Sequence, residues 1–199
     1  MIAIFNIVLM SIASFFSIYF YVKSAQPASF EKKIGAAAYK RCANYRMISG
    51  VFMFLLPATF ITYLFFPLPV PFPHSFPWKY FINIIVSIAI AIPALYLFVK
   101  GIIDAGEEVM TPKKEHQMYK GIYTKIRHPQ AIGEYLLLLI FSILLNSPFL
   151  ILVTLLYLPP WIYMCFAEEK DLVIRYGKPY IDYKKMTGMF FPKFKKNSI

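Results

Sequence analysis

Two clusters in this chain have the residue types and spacing that chemistry needs. The first runs from Gly121 to Glu134 and holds Tyr123, Arg127-His128-Pro129, Gly133 and Glu134. Pro129 suits the first turn of a helix. The free N–H groups of a helix start favour an anion. Arg127 and His128 beside them make a cradle for a carboxylate or phosphate; a headgroup-level anchor is the plainer reading of the same pair. Glu134 is the only acid inside any of the long apolar runs. An ionisable group at membrane depth is costly and by default a functional candidate, although less than two turns into its run it can also snorkel to the interface. The second cluster is Glu168-Glu169, followed by Leu172, Tyr176, Gly177, Tyr180 and Tyr183. Leu172 and Tyr176 share one helix face, and Gly177 fits a helix C-cap. Tyr180 and Tyr183 share a face of the next short helix. A solvated helix start is the plain alternative for the two acids, and an interfacial aromatic belt for the tyrosines.

Other chemistries are excluded by what the chain lacks. No two of its eight glycines form G-x-G, so neither a dinucleotide fingerprint nor a phosphate-binding P-loop is present. His74, His116 and His128 are isolated and Cys42 and Cys165 solitary. There is therefore no zinc-type spacing and no disulfide framework, and the cysteines read as packing residues. No G-x-S-x-G nucleophile elbow occurs.

The elements that must position the two clusters are apolar. Of 199 residues, 59% are hydrophobic and only 16% charged, against about 45–50% and about 25% in an average globular chain. Five apolar runs carry the excess: 2–22, 47–66, 80–99, 131–145 and 149–166. A helix of about 20 residues crosses a bilayer core. No basic residue precedes the first run and Lys23 follows it, which fits a retained span rather than a cleaved signal. Only Asn146-Ser147-Pro148, a turn signal, separates the last two runs, so they read as a tight helical hairpin. Pro93 should kink its helix, and Pro159-Pro160 should break or bend the last. The predicted fold is an all-α polytopic membrane protein of about five transmembrane helices, one domain over residues 1–199. A three-span part covers 1–110, and a hairpin with a tail of short helices covers 111–199.

Charge orients this bundle. Twenty of the 21 Lys and Arg residues fall in three segments, Lys23–Arg46, Lys100–Arg127 and the tail from Glu168, all at one end of the predicted bundle. The positive-inside rule makes that end cytoplasmic and the N-terminus external. The net charge of +11 is thereby accounted for by orientation and by attraction to anionic lipid headgroups, and no nucleic-acid module is present. A hairpin also sets its two ends side by side, so topology alone gathers Arg127, His128, Glu134, Glu168 and Glu169 around one interfacial pocket.

The two clusters together resemble the isoprenylcysteine carboxyl methyltransferase and phospholipid methyltransferase superfamily. The matching residues are Gly121, Tyr123, Arg127, His128 and Pro129, then Glu168, Glu169, Leu172, Tyr176, Gly177, Tyr180 and Tyr183, then Phe191-Pro192. The resemblance covers roughly the last 85 residues. Gln130 and Ala131 depart from its pattern, so the prenylcysteine substrate is not carried over. It implies an integral membrane enzyme that uses S-adenosylmethionine in a cytoplasm-open pocket, with a lipophilic acceptor entering from the bilayer. By the same resemblance His128, Pro129 and Gly133 line the cofactor and Glu168 holds its amino group. From their chemistry and placement, Arg127, Glu134 and Glu168 are the candidate catalytic residues, and Tyr123, Glu169 and Tyr180 join the candidate cofactor contacts.

Methyl transfer from a sulfonium is a direct displacement that depends on alignment. In that scheme Tyr123 offers an aromatic face to the cation, and Arg127 a fork for a carboxylate. His128 or Glu134 serves as base if the acceptor carries a proton. The alternative is an NADPH-dependent membrane reductase of sterol- or enone-type lipids, for which Arg127 and Arg175 offer little clustered charge. A non-enzymatic membrane protein ranks third.

Overall fold

A computed structural model describes residues 1–114 and 120–193; His116 lies outside the described residues. The long elements of the described chain are all helices: α1 (Ile2–Ser24), α2 (Pro27–Ile34), α3 (Ala37–Phe65), α4 (Tyr80–Ala105), α5 (Pro129–Leu144), α6 (Pro148–Tyr176) and α7 (Lys178–Met186). The one-turn 3₁₀ segments Gly106–Val109 and Gly121–Thr124 lie between α4 and α5. Four helices, α1, α3, α4 and α6, are long and apolar enough to cross a membrane. The fourth predicted span differs. As α5 it has 16 residues, about 24 Å at 1.5 Å per residue, short of a ~30 Å core. It still joins the two ends of the bundle. Its first residues meet the basic segments, and at its far end the Tyr80 hydroxyl donates to the Leu144 carbonyl at 2.9 Å.

The helices bury small and polar residues and turn bulky apolar ones outward. On α1 the buried residues are Asn6, Met10, Ala13, Ser17 and Ser24, a helical stripe facing α3. Asn6 Nδ2 donates to the Thr59 carbonyl at 2.9 Å, Ser49 Oγ to the Ser17 carbonyl at 2.8 Å, and Ser17 Oγ lies 2.7 Å from Tyr157 Oη. Small residues let backbones approach, and hydrogen bonds replace the hydrophobic drive that lipid does not supply. One cluster of Met10, Ala13, Leu56, Phe60, Leu150, Trp161 and their neighbours joins α1, α3 and α6.

On α4, Ser87, Ala94 and Gly101 form the matching stripe toward α5. Gly133 of α5 sits so close to α4 that a Cβ there would lie 2.7 Å from the Ala94 carbonyl oxygen and the Phe98 backbone N. The bundle is thus two tight pairs, α1 with α3 and α4 with α5, joined through α6, while α3 and α4 make no extensive contact.

Two further expectations change. Pro159-Pro160 leave α6 continuous. Helix α5 braces that stretch: Tyr135 Oη donates to the Thr154 carbonyl before the prolines at 3.0 Å, and Trp161 Nε1 to the Ala131 carbonyl after them at 3.1 Å. Helices α3 and α6 also outrun their apolar runs. Helix α3 begins ten residues earlier, with Arg41 and Arg46 on it, and α6 carries Glu168 through Tyr176.

Candidate active site

The R-H-P segment folds as it does because of what precedes and follows it. Gly121 takes φ 62°, which glycine adopts without penalty. The Asp104 carboxylate occupies the space that a Cβ would need. That carboxylate accepts the Ile122 N–H at 2.7 Å and so fixes the turn carrying Tyr123. Pro129 then opens α5 with His128 at the N-cap.

The chain after α7 comes back to this turn. Arg127 N donates to the Gly188 carbonyl at 2.9 Å and His128 N to the Met189 carbonyl at 3.2 Å. Tyr183 Oη donates to the Tyr123 carbonyl at 2.5 Å.

Glu169 is the centre of this clamp. It is 2% exposed, and three cations surround it. Arg127 Nε and His128 Nε2 lie 2.6 Å and 3.1 Å from its Oε1, and Lys184 Nζ lies 2.7 Å from its Oε2. Arg127 also donates from Nη1 to the carbonyls of Lys184 and Thr187. Burial alone disfavours the His128 imidazolium, but the Cys165 sulfur and the Glu169 and Glu168 carboxylates outweigh it and push its pKa up to about 10. Burial, with Glu169 and Glu168 adding to it, holds the Tyr180 phenol well above its ordinary range. Burial pushes the Tyr183 phenol up to about 12, with Glu169 and Glu168 adding and Arg127 opposing.

Beneath the clamp is a cavity of about 780 Å³ between the α1/α3 pair and the α4/α5 pair. Small-molecule sites typically measure about 300–1,000 Å³. Its basic end is polar, with Arg46, Glu108, Tyr123, Arg127, His128 and Glu168; Glu134 lies at the turn into the shaft. The shaft is lined by Phe54, Leu138, Phe141, Tyr157 and Trp161 among others. Glu134 accepts from Gln130 Nε2 at 3.2 Å. Glu168 Oε2 stands 3.7 Å from His128 Nδ1. Met47, Val51 and Phe54 of α3 line the cavity and are exposed, Phe54 by 84%.

Of the residues expected at the site, Tyr123, Arg127, His128, Glu134 and Glu168 line this cavity. The others stand behind its wall. Glu169 and Tyr180 belong to the clamp, Pro129 is buried in the first turn of α5, and Gly133 faces α4. The role of Arg127 shifts as well, because two of its nitrogens are committed to Glu169 and backbone carbonyls. Arg46, Tyr21, Glu108 and Trp161 line the cavity too and belong to no motif. The one signal for Arg46 was its place as the last basic residue before the second apolar run. Among the described residues no group of His, Cys, Asp and Glu could hold a metal ion.

A helical membrane protein with an amphipathic cavity at its basic end, roofed by an arginine-glutamate clamp, is the class that this geometry defines. Residues 81–179 match the phospholipid methyltransferase family model. Through that segment the chain belongs to the family, part of the isoprenylcysteine carboxyl methyltransferase-like superfamily. It is thus a membrane protein of a methyltransferase family. The match gives no support to the reductase alternative. No curated protein and no solved structure matches the chain.

Proposed function

We propose that the cavity binds S-adenosylmethionine at its polar end and a lipophilic acceptor along its apolar shaft, and that the protein transfers a methyl group between them. The observation that carries this reading is the meeting of two environments in one space. Glu168 and Glu134 stand at the head of an aromatic and aliphatic shaft, while Arg127, His128 and Lys184 of the roof are turned to Glu169.

The residues present fit a cationic donor. Glu168 faces the cavity beside His128 and would hold the donor's ammonium. The Tyr123 ring lies on the wall, and an aromatic face attracts a sulfonium. When bound, the donor supplies a methyl group whose C–S bond breaks as an acceptor lone pair takes the carbon, the bonding pair staying on sulfur.

The chain's own work is orientation and exclusion of water. The clamp closes the basic end, and the shaft aligns the acceptor. Glu134, at the junction of head and shaft, accepts the proton of a protonated acceptor; general-base catalysis of this kind contributes typically about 10²–10⁴-fold. The gap between α3 and α4, which make no extensive contact, is the path for the acceptor from the bilayer. The basic end is cytoplasmic, by the weight of Lys and Arg on that side, so the donor site opens to the cytoplasm and the N-terminus lies outside.

The test is a calorimetric titration of S-adenosylhomocysteine into detergent-purified protein and two variants. The wild type is expected to bind. Glu168→Gln is expected to bind at least about tenfold more weakly, the loss of one charge-assisted contact. Glu134→Gln is expected to bind normally and to lose turnover. A folded wild type that does not bind S-adenosylhomocysteine sinks the reading.

A further inference from the structure

Three helices give the cavity the same depth. Its lining runs from Arg46 to Pro57 on α3, from Gln130 to Phe141 on α5 and from Glu168 back to Tyr157 on α6. Each pair is eleven residues apart, about 16 Å of helix at 1.5 Å per residue. Arg46, Gln130 and Glu168 also lie within two residues of the places where the apolar runs 47–66, 131–145 and 149–166 meet the basic segments. The head of the cavity is therefore level with the membrane surface at the basic end. A bilayer core is about 30 Å thick, so the far end of the shaft lies near its middle.

Packed side chains close that far end. The Phe141 ring lies nearly parallel to that of Phe60, centroids 6.4 Å apart and planes at 13°, and Phe60 is buried. Tyr157 Oη is 2.7 Å from Ser17 Oγ, which ties this side of the floor to α1. Just beyond, Ser142 Oγ and Thr154 Oγ1 are 2.9 Å apart and both residues are buried. Behind the floor the outer half of the bundle is filled by the cluster that includes Phe60, Tyr63 and Leu150. An apolar shaft that begins at carboxylates and ends on aromatic rings is shaped for a lipid chain and its terminus.

We propose that the shaft is a blind pocket one leaflet deep, and that Phe141, backed by Phe60, is the floor that sets how long an acceptor chain it seats. This rests on the acceptor half of the reading given above and deepens it. The acceptor is a lipid of the leaflet at the basic end. Its reacting group stands at the head beside Glu134, and one chain extends toward Phe141. A chain longer than the shaft has to bend out between α3 and α4, where its further methylenes gain nothing from the floor. Phe141 belongs to neither of the two sequence clusters.

A chain-length series tests it. Unbranched alkylamines from octylamine to octadecylamine are titrated calorimetrically, without donor, into the wild type and Phe141→Ala in one detergent. Their ammonium suits the Glu134 and Glu168 carboxylates at the head. Partition into the micelle depends on the probe and not on the variant, so the ratio of variant to wild-type affinity reads the site. That ratio is expected to stay near one for the short probes and to exceed about tenfold for the longest, since each methylene newly buried adds roughly fourfold. A ratio that is the same at every length assigns Phe141 a structural role and overturns the proposal, as does a wild type that binds no member of the series. Phe141→Leu opens less space. If the alanine variant does not fold, a smaller rise with length in the leucine variant supports the proposal and a flat ratio overturns it. A wild type that shows this length dependence but does not bind S-adenosylhomocysteine supports the floor and removes the donor reading alone.

Discussion

Around the cavity, the seam joining α5, α6 and α7 and the seam between α3 and α4 are held in different ways. In the first, a buried glutamate is gripped by three cations, and backbone carbonyls of the returning tail complete the shell around Arg127. In the second, the two helices scarcely touch, and exposed apolar side chains of α3 line the cavity. Directional contacts tolerate few residue types at each position, so the roof is written as a motif. Apolar contact tolerates many, so the wall leaves no motif.

The largest effect that would break this contrast lies in the roof. Arg127→Ala leaves Glu169 buried with two of its three cations, and breaking a buried pair typically costs about 3–5 kcal/mol. We expect a marked fall in the thermal unfolding midpoint in detergent and loss of S-adenosylhomocysteine binding. A variant as stable as the wild type would show that the clamp is ornament. Next comes Gly133→Ala, where a Cβ would meet the Ala94 carbonyl and Phe98 at 2.7 Å. Overpacking of this kind costs about 1–3 kcal/mol, read in the same melt.

A smaller, graded loss is expected with pH. The His128 pKa rises from 6.5 to about 10 on folding. A raised folded value means stability fully present below pH 6.5 and lost as pH climbs toward about 10. Midpoints measured from pH 6 to 10.5 should fall, and His128→Gln should flatten that fall. A slope that is the same in both proteins would remove His128 from the clamp's energetics. The smallest effect is in the wall. Phe54→Ala, at an 84% exposed position, should change stability by less than about 0.5 kcal/mol while altering the uptake of long-chain acceptors. A large loss of stability there would mean that the two seams are not so different.

How much of this was legible in sequence follows from the same contrast. The long spans announce themselves because Ile2–Val22 and Tyr80–Val99 have no charge to interrupt them. The hairpin is legible in Asn146-Ser147-Pro148, where Asn146 indeed takes a positive φ of 53°. The extensions of α3 and α6 were hidden, because residues such as Arg46 and Glu169 are paired inside the protein and no longer mark the edge of a helix. Within the site, the gathering of Arg127, His128 and Glu168 followed from topology. Which of the motif residues face the cavity did not. Gly133 is turned toward α4 by helix rotation, and a spacing along the chain cannot show that. Arg46 was read only as an orienting charge, because nothing local to it forecasts a contact with Glu108, 62 residues away.

Helix α2 carries one further consequence, for the making of the protein. Its first turn is held by Asp171, whose carboxylate accepts the N–H groups of Ala28 at 3.1 Å and Ser29 at 2.8 Å, 143 and 142 residues apart in the chain. Synthesis runs from the N-terminus at about 5–20 residues per second. For several seconds α2 therefore has its neighbour α3 but not the carboxylate that caps its first turn, and the basic end of the bundle stays unfinished until residue 171 has been made. A chain that ends before Asp171 has no carboxylate to cap the first turn of α2.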